Sequence, residues 1–130
     1  MGLPQANRLK HWRDFQEVYQ RGKRYSGSYL TLRSLSVMPK SETGATEAEI
    51  TLIPSTRIGI SIGKKVSKKA VVRNRIKRQI RAAIREILPQ MSGGWKLAIG
   101  VKSTATKCEY EHFLRELKQL LTRAEVLHGY

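Results

Sequence analysis

Between residues 57 and 85 the chain carries eleven Lys or Arg side chains and not one carboxylate. They are Arg57, Lys64, Lys65, Lys68, Lys69, Arg73, Arg75, Lys77, Arg78, Arg81 and Arg85, out of 25 basic residues in all. Cations at this density repel one another until a polyanion neutralises them, so the chemistry on offer is phosphate binding. Lys supplies a compact point charge, and Arg a planar fork that matches two phosphate oxygens. The whole chain agrees. Its 130 residues bear a formal net charge of +15 with a pI near 10.5, which favours nucleic acid first and an anionic membrane surface second. Solubility tuning would more naturally use Asp and Glu.

Other chemistries find little support. A nuclease working through protein-held metal ions needs several carboxylates gathered together, and this chain has one Asp, Asp14. No metal ligands are assigned: His11, His112 and His128 lack ligand spacing with one another or with Cys108, and a Cys-His nucleophile pair has nothing to support it. Lys64-Lys65 follows a glycine, but the earlier Gly and the following Ser or Thr of a nucleotide-binding P-loop are out of register. A lone cysteine allows no internal disulfide and suits a reducing cytoplasm. Arg8, Lys10, Arg13 and Asp14 interrupt every apolar run near the N-terminus, so no signal peptide is expected there. No apolar stretch approaches the ~20 residues that span a bilayer.

The elements that must position these cations can be read from periodicity. Trp12, Phe15, Val18 and Tyr19 share one side of a short helix that Gly22 would cap. Residues 29–37 are rich in strand formers, with a phase shift between Leu30, Leu32 and Leu35, Val37 that suggests a bulge or twist. Residues 39–49 predict a mobile hairpin loop, and 50–53 a returning strand. In 57–63, Ile58, Ile60 and Ile62 alternate with Gly59, Ser61 and Gly63, giving one core face and one bare face. Such a face admits either a close-approaching ligand or a packed neighbour. A last strand follows at Trp95, Leu97, Ile99 and Val101. A capping box at 106–109 would open a closing helix striped by Tyr110, Phe113, Leu117, Leu120, Leu121 and Ala124. The order is α-β-β-β-α-β-α, an α+β fold in a single domain over residues 1–130.

The longest helix is predicted at 70–88. Val72, Ile76, Ile80, Ala83 and Ile87 form its apolar stripe, and Asn74, Lys77, Arg78, Arg81 and Arg85 lie opposite; Pro89 and Gly93-Gly94 stop it. A merely solvated face would mix in Glu at i, i+4, and between residues 57 and 85 there is none. A DNA-reading basic region would continue into a heptad zipper, and none follows Pro89. A clamp on folded RNA, reading shape through phosphates, is the leading interpretation. Phe15 and Tyr19 could be core residues or could stack on bases of a single strand beside the bare face.

The segment Arg57-Ile58-Gly59-Ile60-Ser61-Ile62-Gly63-Lys64-Lys65, followed by Ala70-Val71-Val72-Arg73-Asn74-Arg75-Ile76-Lys77-Arg78-Gln79-Ile80-Arg81, resembles the signature of the bacterial ribonuclease P protein subunit family. Asn7-Arg8-Leu9-Lys10 and the helix from Asp14-Phe15 to Tyr19 resemble that family's N-terminus. The resemblance spans residues 7–121. It implies a fold like ribosomal protein S5 domain 2, with a left-handed β-α-β crossover at the basic helix. It also implies a small subunit of a ribonucleoprotein whose RNA cleaves the 5′ leader from precursor tRNA, with no catalytic residue in the protein. By that resemblance Lys68, Lys69, Arg73, Asn74, Arg75, Lys77, Arg78 and Arg81 would contact the catalytic RNA. Phe15, Tyr19, Arg57, Lys64 and Lys65 would line a cleft for the leader, and Mg2+ would be held mainly by RNA. Catalytic RNA and precursor tRNA are then the partners, in the cytoplasm, with no membrane or DNA partner. Trp95 and Gly100-Val101 depart from the family pattern, and no role is carried over to them. A structural RNA-binding protein, such as a ribosomal one, is the alternative.

Overall fold

The computed structural model describes residues 7–36 and 56–127. The expected loop at 39–49 and strand at 50–53 lie outside the described residues. Within them the elements run α1 (Trp12–Arg21), β1 (Lys23–Ser26), β2 (Leu30–Ser36), β3 (Arg57–Ser61), α2 (Ala70–Ile87), β4 (Trp95–Val101) and α3 (Tyr110–Arg123). Short 3-10 turns at Leu88–Gln90 and Ser103–Lys107 flank β4. The α+β class matches expectation, but the first described strand, β1, is not among the expected ones. Residues 23–26 combine three polar side chains with Tyr25, and so lack the apolar signal of a strand.

The four strands form one sheet in the order β1-β2-β4-β3. β1 and β2 are antiparallel, as are β2 and β4; β3 and β4 are parallel and joined through α2. β2 and β4 pair without interruption from Leu30↔Val101 to Ser36↔Trp95, so the described part of β2 contains no bulge. Its apolar phase shift has another cause: both faces of the sheet are covered. Leu30 and Leu32 enter the main core, whereas Leu35 packs on the opposite side with Leu9, Phe15, Val18 and Ala98. A strand buried on both faces loses the clean alternation of a half-buried one.

The main core joins Leu30, Leu32, Ile58, Leu97 and Ile99 of the sheet to Ile76, Ile80, Ala83, Ile84 and Ile87 of α2 and to Phe113, Leu117, Leu120 and Leu121 of α3. The expected stripes are thus the buried ones, with Ile84 added and Val72 and Tyr110 half-buried. The α3 boundary differs from expectation. Glu109 is the N-cap residue, and its backbone N–H donates to His112 Nδ1 at 3.0 Å to complete a capping box. Residues 103–107 are taken by a 3-10 turn, so Thr106 cannot open the helix.

A buried carboxylate ties the first hairpin to α3. Glu116, 7% exposed, accepts from the backbone N–H groups of Ser28, Tyr29 and Leu30 at 2.6, 2.9 and 2.6 Å. Three amide donors satisfy the charge that burial alone would penalise.

Candidate nucleic-acid interface

The basic surface is built by α2 and the turn that feeds it. Because the apolar residues of α2 recur every three or four positions, the intervening cations are forced outward. Asn74, Arg75, Arg78, Arg81 and Arg85 are exposed, as are Lys64, Lys65, Lys68 and Lys69; Arg73 and Lys77 are half-buried. α2 has no acidic residue in its first turn, and Lys69 is its N-cap residue. The unpaired N–H groups and positive dipole end of the helix therefore add to four lysines at its entrance, a setting that attracts phosphate.

Two of these arginines are also held in place. Arg73 donates from Nη1 to the Ser67 carbonyl at 2.8 Å, and Arg75 from Nη2 to the Thr106 carbonyl at 2.9 Å. Each guanidinium has five N–H donors, so one bond to backbone fixes its direction and leaves others to meet phosphate oxygens. No spacing in the sequence signals these tethers.

Beside β3 a cleft of about 430 Å3 is lined by Arg8, Leu9, Lys10, Phe15, Ile58, Gly59, Ile60 and Arg81. Its floor answers the question posed by the bare face of β3. Phe15 of α1 lies on Gly59 so closely that a β-carbon there would overlap the ring. A packed neighbour covers this part of the strand, and the neighbour is itself a cleft residue. Leu9 donates its backbone N–H to the Ile58 carbonyl at 3.0 Å, and Asn7 Nδ2 donates to the Thr56 carbonyl at 2.8 Å. The N-terminal segment is thereby laid along β3, bringing Arg8 and Lys10 to the rim.

The structure gathers Phe15 and Arg81 in that cleft but not every residue assigned to it. Tyr19, 41% exposed, lies farther along α1, with the Arg33 guanidinium 4.6 Å from its ring centroid. Arg57 is exposed at the start of β3, and Lys64 and Lys65 are exposed beyond its end. Arg8 and Lys10 were not picked out as site residues, and Arg81 was assigned to the α2 surface alone. The available signal was Leu9, an apolar anchor between two cations.

Lys96 and Cys108 are committed elsewhere. Lys96 Nζ reaches Asp14 at 3.0 Å and Glu17 at 3.5 Å, tying α1 to β4. The hydrogen bond from Lys96 to Asp14 outweighs desolvation and holds the Lys96 ammonium above its ordinary pKa. Burial pushes the Cys108 thiol up, away from the reactive thiolate. Among the described residues no three His, Cys, Asp or Glu side chains gather where they could hold a metal ion, and no helix is long and apolar enough to cross a membrane.

Known proteins share this sequence and fold. The Ribonuclease P family model matches residues 3–125. The chain is 58% identical over 130 residues to the ribonuclease P protein component of Microcystis aeruginosa, with all of both chains covered. It is 52% identical to that of a Picosynechococcus strain, again over the full length of both. The RNase P protein of Staphylococcus aureus shares the fold with a TM-score of 0.75 at 23% identity, covering 94% of this chain and 98% of that one. The Thermotoga maritima protein does so with a TM-score of 0.71 at 21% identity, with the same coverage. With a family match over almost its whole length and close relatives aligned end to end, the chain belongs to the ribonuclease P protein family.

Proposed function

We propose that the chain is the protein subunit of a ribonuclease P ribonucleoprotein, in which it assists endonucleolytic removal of the 5′ leader from precursor tRNA. Family membership supports that role. The observation that supports its division of labour is the pair of basic surfaces meeting at Arg81, which stands on α2 and lines the Phe15 cleft.

In this reading Lys68, Lys69, Arg73, Asn74, Arg75, Lys77 and Arg78 grip the catalytic RNA. Phosphate contacts fix register and orientation without reading sequence, as a scaffold RNA requires. Phe15 offers an aromatic surface to an unpaired leader base, and Arg8, Lys10 and Arg81 neutralise its phosphates. Tyr19, Arg57, Lys64 and Lys65 extend the path. The protein supplies position and charge while RNA supplies the catalytic centre. RNA phosphates are the proposed ligands of Mg2+.

The test compares affinities. The complex of catalytic RNA and protein should bind precursor tRNA more tightly than mature tRNA, and the RNA alone should show a smaller difference. An equal preference with and without the protein would remove the leader role.

A further inference from the structure

Trp12 is the first residue of α1, and it is 65% exposed. It belongs to neither apolar cluster of the fold. A large aromatic left in water forgoes the burial that usually fixes such residues, and its meaning depends on what stands beside it. Trp12, Phe15 and Tyr19 recur at i, i+3 and i+7 and share one stripe of the helix. Trp12 stands about 4.5 Å of helix rise before Phe15, which already lines the cleft.

The surroundings of Trp12 select the partner's chemistry. Arg8 and Lys10 line the cleft just before α1, and Arg13 follows Trp12 with its guanidinium 5.8 Å from the indole centroid. A cation beside one face of the indole leaves the opposite face for a flat π-system, and the neighbouring cations would meet the phosphates that such a base carries. Bases within a duplex are stacked on one another, so the fitting ligand is an unpaired nucleotide.

We propose that Trp12 is a stacking platform for a nucleobase of the single-stranded leader, one position beyond the nucleotide held over Phe15. This rests on reading the Phe15 cleft as the leader path. Recognition by stacking tolerates any base, so Trp12 adds affinity and reach without sequence preference.

The test uses the complex reconstituted with catalytic RNA and precursor tRNAs whose leaders lengthen from a single nucleotide. Trp12→Ala should bind the shortest leaders as the wild type does, and should lose about 5- to 150-fold in affinity once the leader reaches Trp12. Trp12→Phe should recover much of the loss, and the melting temperature of Trp12→Ala should match the wild type. Equal affinities of Trp12→Ala and wild type at every length would overturn the proposal while leaving the cleft intact. So would a loss independent of leader length, or a fall in melting temperature that accounts for it. If the wild type itself gains nothing with leader length, the cleft reading fails and the Trp12 proposal with it.

Discussion

The Phe15 ring rests on Gly59, and no residue with a β-carbon fits at that position without moving the ring. The relationship joins α1 to β3 and sets the floor of the cleft at once. Gly59→Ala should therefore destabilise the fold by about 1–3 kcal/mol through overpacking and also weaken leader binding. Combining it with Phe15→Leu should recover stability without recovering leader affinity. Chemical denaturation of the single and double variants, beside precursor tRNA binding, checks both parts.

Tyr19 permits a cleaner separation of stability from binding. It is partly exposed and packs beside Arg33 in a cation–π arrangement, which at such sites is worth about 0.5–1 kcal/mol. Tyr19→Ala should lower stability by no more than about that amount. If Tyr19 extends the leader path, the same variant should lose affinity for precursor tRNA and keep it for mature tRNA. A large melting shift with equal losses for both RNAs would make Tyr19 structural.

On α2, Arg73→Ala and Arg75→Ala should weaken binding to the catalytic RNA. Each lost phosphate contact should reduce the magnitude of the log-affinity against log-salt slope by roughly 0.7–0.9. Both side chains also anchor backbone carbonyls, so circular dichroism melts belong beside the titrations. Arg→Lys at either site should preserve more of the salt slope than of the affinity, because a point charge replaces a fork. Unchanged affinity and slope in both Ala variants would mean that these charges are only solvated.

The Lys96 ion pair predicts an alkaline limit. Because its folded-state pKa is raised, the contribution of Lys96 to stability is fully present below its unfolded pKa. It is lost as pH rises through the folded value. Melting temperature followed from neutral to strongly alkaline pH should show an extra decline in the wild type relative to Lys96→Met, confined to the alkaline end. A difference between the two curves that appears only in acid would contradict this assignment.

The sequence exposes the helices more fully than the contacts between elements. Ile76, Ile80, Ala83 and Ile87 had to face inward because their spacing matches the helical repeat, and the cations between them had to face outward. For the aromatic stripe of α1 the same reasoning leaves core and surface open, and the structure buries Val18 but exposes Trp12 and Tyr19. Periodicity states which residues share a side, not whether that side is covered. Phe15 on Gly59 and the amide cradle of Glu116 depend on long-range approach, which local spacing does not encode. β1 was missed because its polar side chains carry little apolar signal; pairing with β2 defines it. Lys68, Lys69, Asn74, Arg78 and Arg81 were legible as exposed polar residues, but the place of Arg81 at the cleft depends on how α2 crosses to β4.

Cleavage of precursor tRNA by the matching catalytic RNA, with and without this protein across a range of magnesium concentrations, tests the central claim most directly. The account predicts that purified protein alone cuts nothing. It also predicts that protein with RNA cuts at the mature 5′ end at lower magnesium than RNA alone. RNA cleavage that is indifferent to the protein, or activity that follows the protein's own elution peak without RNA, would contradict it.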